Sequence, residues 1–160
     1  DADEHARTAR FVANVIAPIL TQGEAMLIQS IFYPFEMFSR RKEGVSLQVK
    51  VDGPEYASKK YGQTPMIDSA AILNGKQLHV FAVNRSTDAA AEVRVELADA
   101  KLRSLHSAEI VCGDDPKAAN SYEAPGVIAA RAFEEVRFAA GRATAKLPAL
   151  SVAAMTFNVD

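Results

Sequence analysis

The chain has 160 residues, 49% of them hydrophobic, enough for one domain with a real core plus a small additional piece. A formal charge of −2 gives no pull toward nucleic acid or membrane surfaces, and no apolar run reaches the about 18 residues a membrane span needs. The single cysteine, Cys112, excludes an internal disulfide and any multi-cysteine zinc site.

The sequence opens Asp1-Ala2-Asp3-Glu4, with no methionine and no basic stretch leading into an apolar one, and reads as a cut or processed end. The compartment is therefore open, with a slight lean to the cytoplasm. Glu4 to Ala13 reads as a helix, rich in Ala and Arg, with Asp3 as N-cap and Phe11 on its apolar side. Val15 to Leu20 is almost wholly apolar, β-branched and short, which predicts a strand buried on both faces, ending or bulging at Pro18. After Gly23 a second helix is predicted from Glu24 to about Lys42. Leu27, Ile31, Phe35 and Phe38 form its stripe, Pro34 predicts a kink, Arg40-Arg41-Lys42 suits the C-terminal dipole, and Gly44 is the stop. Such a unit cannot bury its own faces. It must dock on the rest of the chain or belong to something larger.

From Val45 the pattern changes to short alternating runs separated by turn residues. Strands are predicted over Val45–Val51, Ile67–Leu73, Gln77–Asn84, Glu92–Leu97, Leu102–Cys112, Phe133–Ala139, Ala143–Leu147 and Val152–Val159. Asn74-Gly75 predicts a tight hairpin with φ > 0 at both central residues, and Gly141 marks another turn. These strands make the chain mainly β, an antiparallel β-sandwich of jelly-roll type behind a helix-strand-helix segment. The domain division falls at 1–44 and 45–160. Gly113 to about Ala132 shows no period, and a loop of that length is usually functional or pinned by its neighbours.

Chemistry-bearing residues are sparse. Glu134-Glu135 is the only glutamate pair, and on a strand its members point to opposite faces. Asp114-Asp115 before Pro116 reads as a turn. His5, His79 and His106 lie far apart and show no metal spacing. Ser104, Ser107 and Ser151 lack a nucleophile-elbow context, and no Gly-rich phosphate loop is present. No cofactor, no metal and no catalytic residue is expected in this chain. Tyr56, Tyr61 and Tyr122 are the rings that would serve a free-standing carbohydrate-binding module, in a sequence without tryptophan.

Three stretches carry a resemblance: Asn14-Val15-Ile16-Ala17-Pro18-Ile19-Leu20-Thr21; Gln29-Ser30-Ile31-Phe32-Tyr33-Pro34-Phe35-Glu36-Met37-Phe38-Ser39; and a dispersed set. The dispersed set comprises Val51-Asp52-Gly53-Pro54-Glu55-Tyr56, Phe81-Ala82-Val83-Asn84-Arg85 and Asp115 to Pro125. In order and spacing they resemble the C-terminal part of the α-L-arabinofuranosidases of glycoside hydrolase family 51. The first stretch is similar to the last strand of the family's (β/α)8 barrel, the second to its last helix, the third to its sandwich.

The resemblance implies a retaining glycosidase that removes terminal α-L-arabinofuranosyl groups from arabinan, arabinoxylan and their oligosaccharides. Such chemistry uses two carboxyl groups about 5 Å apart. The resemblance puts both upstream of the last barrel strand and so outside this chain. It implies a barrel catalytic domain as partner, a homo-oligomer, and an N-terminal strand of the full enzyme added to the sandwich. Asn14 would then reach a substrate hydroxyl at the barrel mouth, the alternative being that it caps or turns the chain between helix and strand. Three residues earlier, many members place a sugar-binding glutamine where this chain has Phe11, which offers a ring face for stacking but no amide.

Overall fold

The computed structural model of the chain describes residues 17–160. The predicted helix over Glu4–Ala13 and the start of the predicted Val15–Leu20 strand lie outside the described residues.

The front segment departs from the sequence reading. β1 (Ile19–Gln22) and β2 (Ala25–Ile28) form an antiparallel hairpin turning at Gly23, whose φ is 60°. Ile19 pairs with Ile28 and stands 42% exposed, so this end of the predicted two-face-buried strand is a hairpin arm. Of the predicted Glu24–Lys42 helix only α1 (Phe32–Ser39) is helical. A glycine in the left-handed region reverses the chain at once, and pairing with β1 outweighs the helical spacing of Leu27 and Ile31. Pro34 makes no kink. It is the third residue of α1, in the first turn, where backbone N–H groups have no intrahelical acceptor. Gly44 does not cap the helix, which already ends at Arg40. At φ 123° it instead presses on β6, where an added Cβ would lie 2.4 Å from the Leu73 carbonyl oxygen.

The remaining strands are β3 (Val45–Leu47), β4 (Glu55–Ser58), β5 (Gly62–Pro65), β6 (Ile67–Asn74), β7 (Gln77–Asn84), β8 (Ala91–Val95), β9 (Leu102–Cys112), β10 (Arg131–Ala132), β11 (Val136–Ala139), β12 (Arg142–Leu147) and β13 (Ser151–Val159). A six-stranded sheet runs β10-β9-β13-β7-β6-β3 and a three-stranded sheet runs β11-β12-β8; every pairing in them is antiparallel. The predicted Val45–Val51 strand stops at Leu47, because β3 is an edge that meets β6 at three residues only. The β4–β5 hairpin has no apolar alternation, so periodicity was silent about it. The turn between β6 and β7 is centred on Gly75 and Lys76, one residue beyond the predicted pair. Only Gly75 has positive φ, as a glycine at the first central position of a type II′ turn allows. The predicted Phe133–Ala139 strand splits: Phe133, Glu134 and Glu135 carry the chain from the large sheet across to the small one.

Alternation along the central strands builds two cores. Leu78, Val80 and Ala82 of β7, with Ala153, Met155 and Phe157 of β13, meet Ala143, Ala145 and Leu147 of β12 between the sheets. The opposite faces of the same strands give Phe81 and Ala154, which pack with Met37 of α1 and Ile128 of the long loop. The large sheet is thus covered on both faces, by the small sheet on one side and by α1 with residues 113–130 on the other.

Candidate functional site

The seam between α1 and the large sheet is where polar side chains converge. α1 is apolar on two sides. Toward the sheet, Met37 is fully buried and the Phe38 ring lies 4.5 Å from that of Phe81, centroid to centroid. Away from it, Phe35 is 62% exposed, while Ile31, just before the helix, lines with Pro34 a cleft against Val83, Val111 and Val152 of the sheet. A helix apolar on both sides is normally packed on both sides.

Arg41, two residues past the helix, is 8% exposed and fixes the seam. Its Nη1 donates to the Met37 carbonyl at 2.9 Å, its Nε to Thr156 Oγ1 at 3.1 Å and its Nη2 to Glu109 Oε2 at 2.7 Å. Arg40 donates to the other oxygen of Glu109 at 2.8 Å. Thr156 Oγ1 also lies 3.0 Å from Nδ1 of His79, itself buried. The basic cluster therefore does serve the helix C-terminus, through Arg41 on Met37, and it also ties α1 to β9 and β13.

Burial, then the charges of Arg41 and His106, push the His79 imidazole below its ordinary value of 6.5. Burial alone would raise the Glu109 carboxyl, but hydrogen bonds and charge from Arg41 and Arg40 outweigh it and hold the group below 4.5. Both folded-state values are depressed, so unfolding takes up protons as the pH falls, and stability declines with it. His79 contributes between 6.5 and its folded value; Glu109 contributes below 4.5. The melting temperature is expected to fall already between pH 7 and 5. His79→Gln, which cannot titrate, should flatten that limb and leave the steeper loss below pH 4.5. An unaltered limb in the variant would remove His79 as its source.

A second clamp lies in the long loop. Asn120, buried between Ser121 and Ala119 on an irregular stretch, donates through Nδ2 to the Ile28 carbonyl at 2.9 Å and to the Ile128 carbonyl at 2.8 Å. Its Oδ1 accepts from Ile128 N at 2.8 Å. The loop is thus pinned to itself and to the base of the β1–β2 hairpin.

Among the described residues, the sequence-predicted candidates are not brought together here. Phe11 and Asn14 lie outside the described residues, as does His5. Glu134 and Glu135 are exposed, in the crossing between sheets rather than on a strand. Asp115 forms a turn, its Oδ1 accepting from Lys117 N at 2.8 Å and its carbonyl from Ala118 N. Tyr56 and Tyr61 are exposed on the β4–β5 hairpin, where Lys60 Nζ lies 5.1 Å from the Tyr61 ring centre. Tyr122 is half-buried. Cys112 is half-buried, with Arg131 Nη2 3.0 Å from its sulfur. Among the described residues no three His, Cys, Asp or Glu side chains are grouped to hold a metal ion. Sequence reasoning missed Glu109, Thr156 and Asn120. Nothing in their local spacing marks them, because their partners lie 68, 115 and 92 residues away.

The model of the α-L-arabinofuranosidase C-terminal domain matches residues 5–151. The chain belongs to the α-L-arabinofuranosidase C-terminal domain family. An intracellular exo-α-(1→5)-L-arabinofuranosidase of Streptomyces lividans is 33% identical over 142 residues, covering 88% of this chain and 22% of the relative. An exo-α-(1→6)-L-arabinofuranosidase of Bifidobacterium longum is 36% identical over 123 residues, covering 74% and 23%. A solved family 51 α-L-arabinofuranosidase from Bifidobacterium longum superposes with a TM-score of 0.81 at 27% identity, over 89% of this chain and 29% of that one. The chain therefore spans less than a third of the relatives it matches. This arabinofuranosidase C-terminal domain supplies a β-sandwich and a docked helix, and the seam just described is the junction between them.

Proposed function

We propose that this chain is the non-catalytic C-terminal end of a retaining exo-α-L-arabinofuranosidase acting on terminal α-L-arabinofuranosyl groups of arabinan- or arabinoxylan-type saccharides. Residues 1–44 complete the barrel, and residues 45–160 are a sandwich that backs it. The observation that carries this reading is the double-sided helix. α1 buries Met37 against the sandwich and holds Phe35 out on its other side for a second body to cover. The barrel is that body, and it carries the two catalytic carboxylates. Phe11 and Asn14 are the substrate contacts this chain lends to its mouth. The three-stranded sheet, open at β8 and β11, suits a strand added from elsewhere in the polypeptide. The working enzyme is a homo-oligomer in this reading.

The 160-residue chain is expected to give no turnover of a nitrophenyl α-L-arabinofuranoside. The same chain on its upstream barrel should hydrolyse it with retention. Inhibitor-sensitive turnover by the pure chain would overturn the division of labour. A free-standing carbohydrate-binding module is the second reading, favoured by the 72% exposed ring of Tyr61. Saturable binding of arabino-oligosaccharides to the isolated chain, lost in Tyr61→Ala, is the result that would select it.

A further inference from the structure

We propose that the tip of the β1–β2 hairpin contacts the sugar beyond the scissile bond, with Gln22 and Glu24 as specificity-determining residues and Asn120 as the positioning residue that holds the hairpin in place. The inference rests on the reading of residues 1–44 as the end of the barrel. In that fold the substrate sits at the C-terminal ends of the strands, among the loops that lead from each strand into the following helix. The hairpin begins within the stretch read as the end of the last barrel strand and runs on toward α1, so it occupies such a connection.

Its exposure fits the role. Every residue from Thr21 to Met26 is exposed, whereas Leu27 is buried and Ile28 half-buried. The hairpin is thus anchored at its base and free at its tip. The tip carries an amide, a carboxylate and a thioether, with the hydroxyl of Thr21 beside them. Amide, carboxylate and hydroxyl groups can donate to or accept from sugar hydroxyls. The thioether of Met26 offers an apolar, adaptable contact for a ring face.

The anchor comes from the sandwich. Asn120 reaches the Ile28 carbonyl from a loop 92 residues further on, while its remaining bonds go to Ile128 within the same loop. That loop is itself packed. Ile128 is buried in the second core, and a Cβ added at Gly113 would lie 2.7 Å from Ile128 Cδ1. Asn120 therefore transmits the rigidity of the sandwich to the base of the hairpin. Aspartate at this position keeps an acceptor for Ile128 N but has no hydrogen to give to Ile28.

The test uses the full-length enzyme with a nitrophenyl arabinofuranoside and an arabino-oligosaccharide of several residues. In Gln22→Ala, Glu24→Ala and Asn120→Asp the KM for the oligosaccharide should rise about 2- to 10-fold, the range set by loss of one hydrogen bond. The nitrophenyl substrate, which lacks the second sugar, should keep its kcat and KM. Gln22→Ala and Glu24→Ala should also keep the melting temperature, which a structural role would move. An unchanged oligosaccharide KM in active variants overturns the inference alone. A parallel loss on both substrates overturns it too, by showing general damage. No turnover by the unsubstituted full-length protein sinks the enzyme reading, and this inference with it.

Discussion

Phe157→Ala is expected to destabilise the chain by about 4 kcal/mol and to lower the melting temperature by roughly 8–16 °C. Phe157 is fully buried on β13, the strand paired to β9 on one side and β7 on the other. Its ring meets that of Phe138 from β11 edge-on, with centroids 5.7 Å apart and planes at 70°. It is thus a direct aromatic contact between the two sheets. Truncation removes the transfer energy of the ring and an edge-to-face pair worth about 1 kcal/mol, and it leaves a cavity. The walls cannot close readily, because β13 is held by ladders on both sides. Phe157→Leu, which fills part of the space, should lose less than half as much. Denaturant unfolding followed by circular dichroism measures both. A loss under about 1 kcal/mol for the alanine variant would mean the inter-sheet core is looser than its packing indicates.

The sandwich was legible because its central strands alternate cleanly and end at turn residues. Gln77–Asn84 and Leu102–Cys112 have the boundaries read from sequence, and Ile67–Leu73 and Val152–Val159 differ by a residue. The front segment was misread for a physical reason. Leu27, Ile31, Phe35 and Phe38 share a helical spacing, yet Leu27 is buried in a hairpin strand and Phe35 is exposed on the helix. The spacing was real, but the left-handed turn at Gly23 and the pairing of Ile19 with Ile28 decided the local structure. The spacing makes Pro34 a helix-interior residue, whereas it lies in the first turn. The seam was illegible for another reason. Arg41, Glu109, Thr156 and Asn120 act across long separations, and periodicity carries no information about which distant side chain a polar group will meet. Arg41 alone left a trace, as a cation at the end of an apolar stretch. That trace suggested a dipole contact, which exists, and not the further bonds to Thr156, Ser107 and Glu109 of the sheet.

Arg41→Ala is expected to destabilise the chain by about 3 kcal/mol, and to do so from the seam outward. The guanidinium is almost wholly buried, and its loss strands several partners unequally. The Met37 carbonyl loses its side-chain donor beneath the helix end. Thr156 keeps His79, and Glu109 keeps Arg40 and is a quarter exposed, so water and the remaining cation soften its loss. The expected loss therefore sits at the lower end of the range for breaking a buried ion pair. Lysine should recover only part of it, since one ammonium cannot reach the Met37 carbonyl, Thr156 and Glu109 in the fork that arginine offers. A double-mutant cycle with Glu109→Gln should show a coupling of about 1–2 kcal/mol. Amide exchange separates this variant from Phe157→Ala. The core variant should raise exchange throughout both sheets together, because it lowers global stability. Arg41→Ala should raise it first over Phe32–Ser39, while β7 and β13 follow only as far as overall stability falls. Equal loss of protection everywhere would show that α1 and the sandwich open as one unit. Selective loss over α1 would show a helix held to the sandwich by its own fastening.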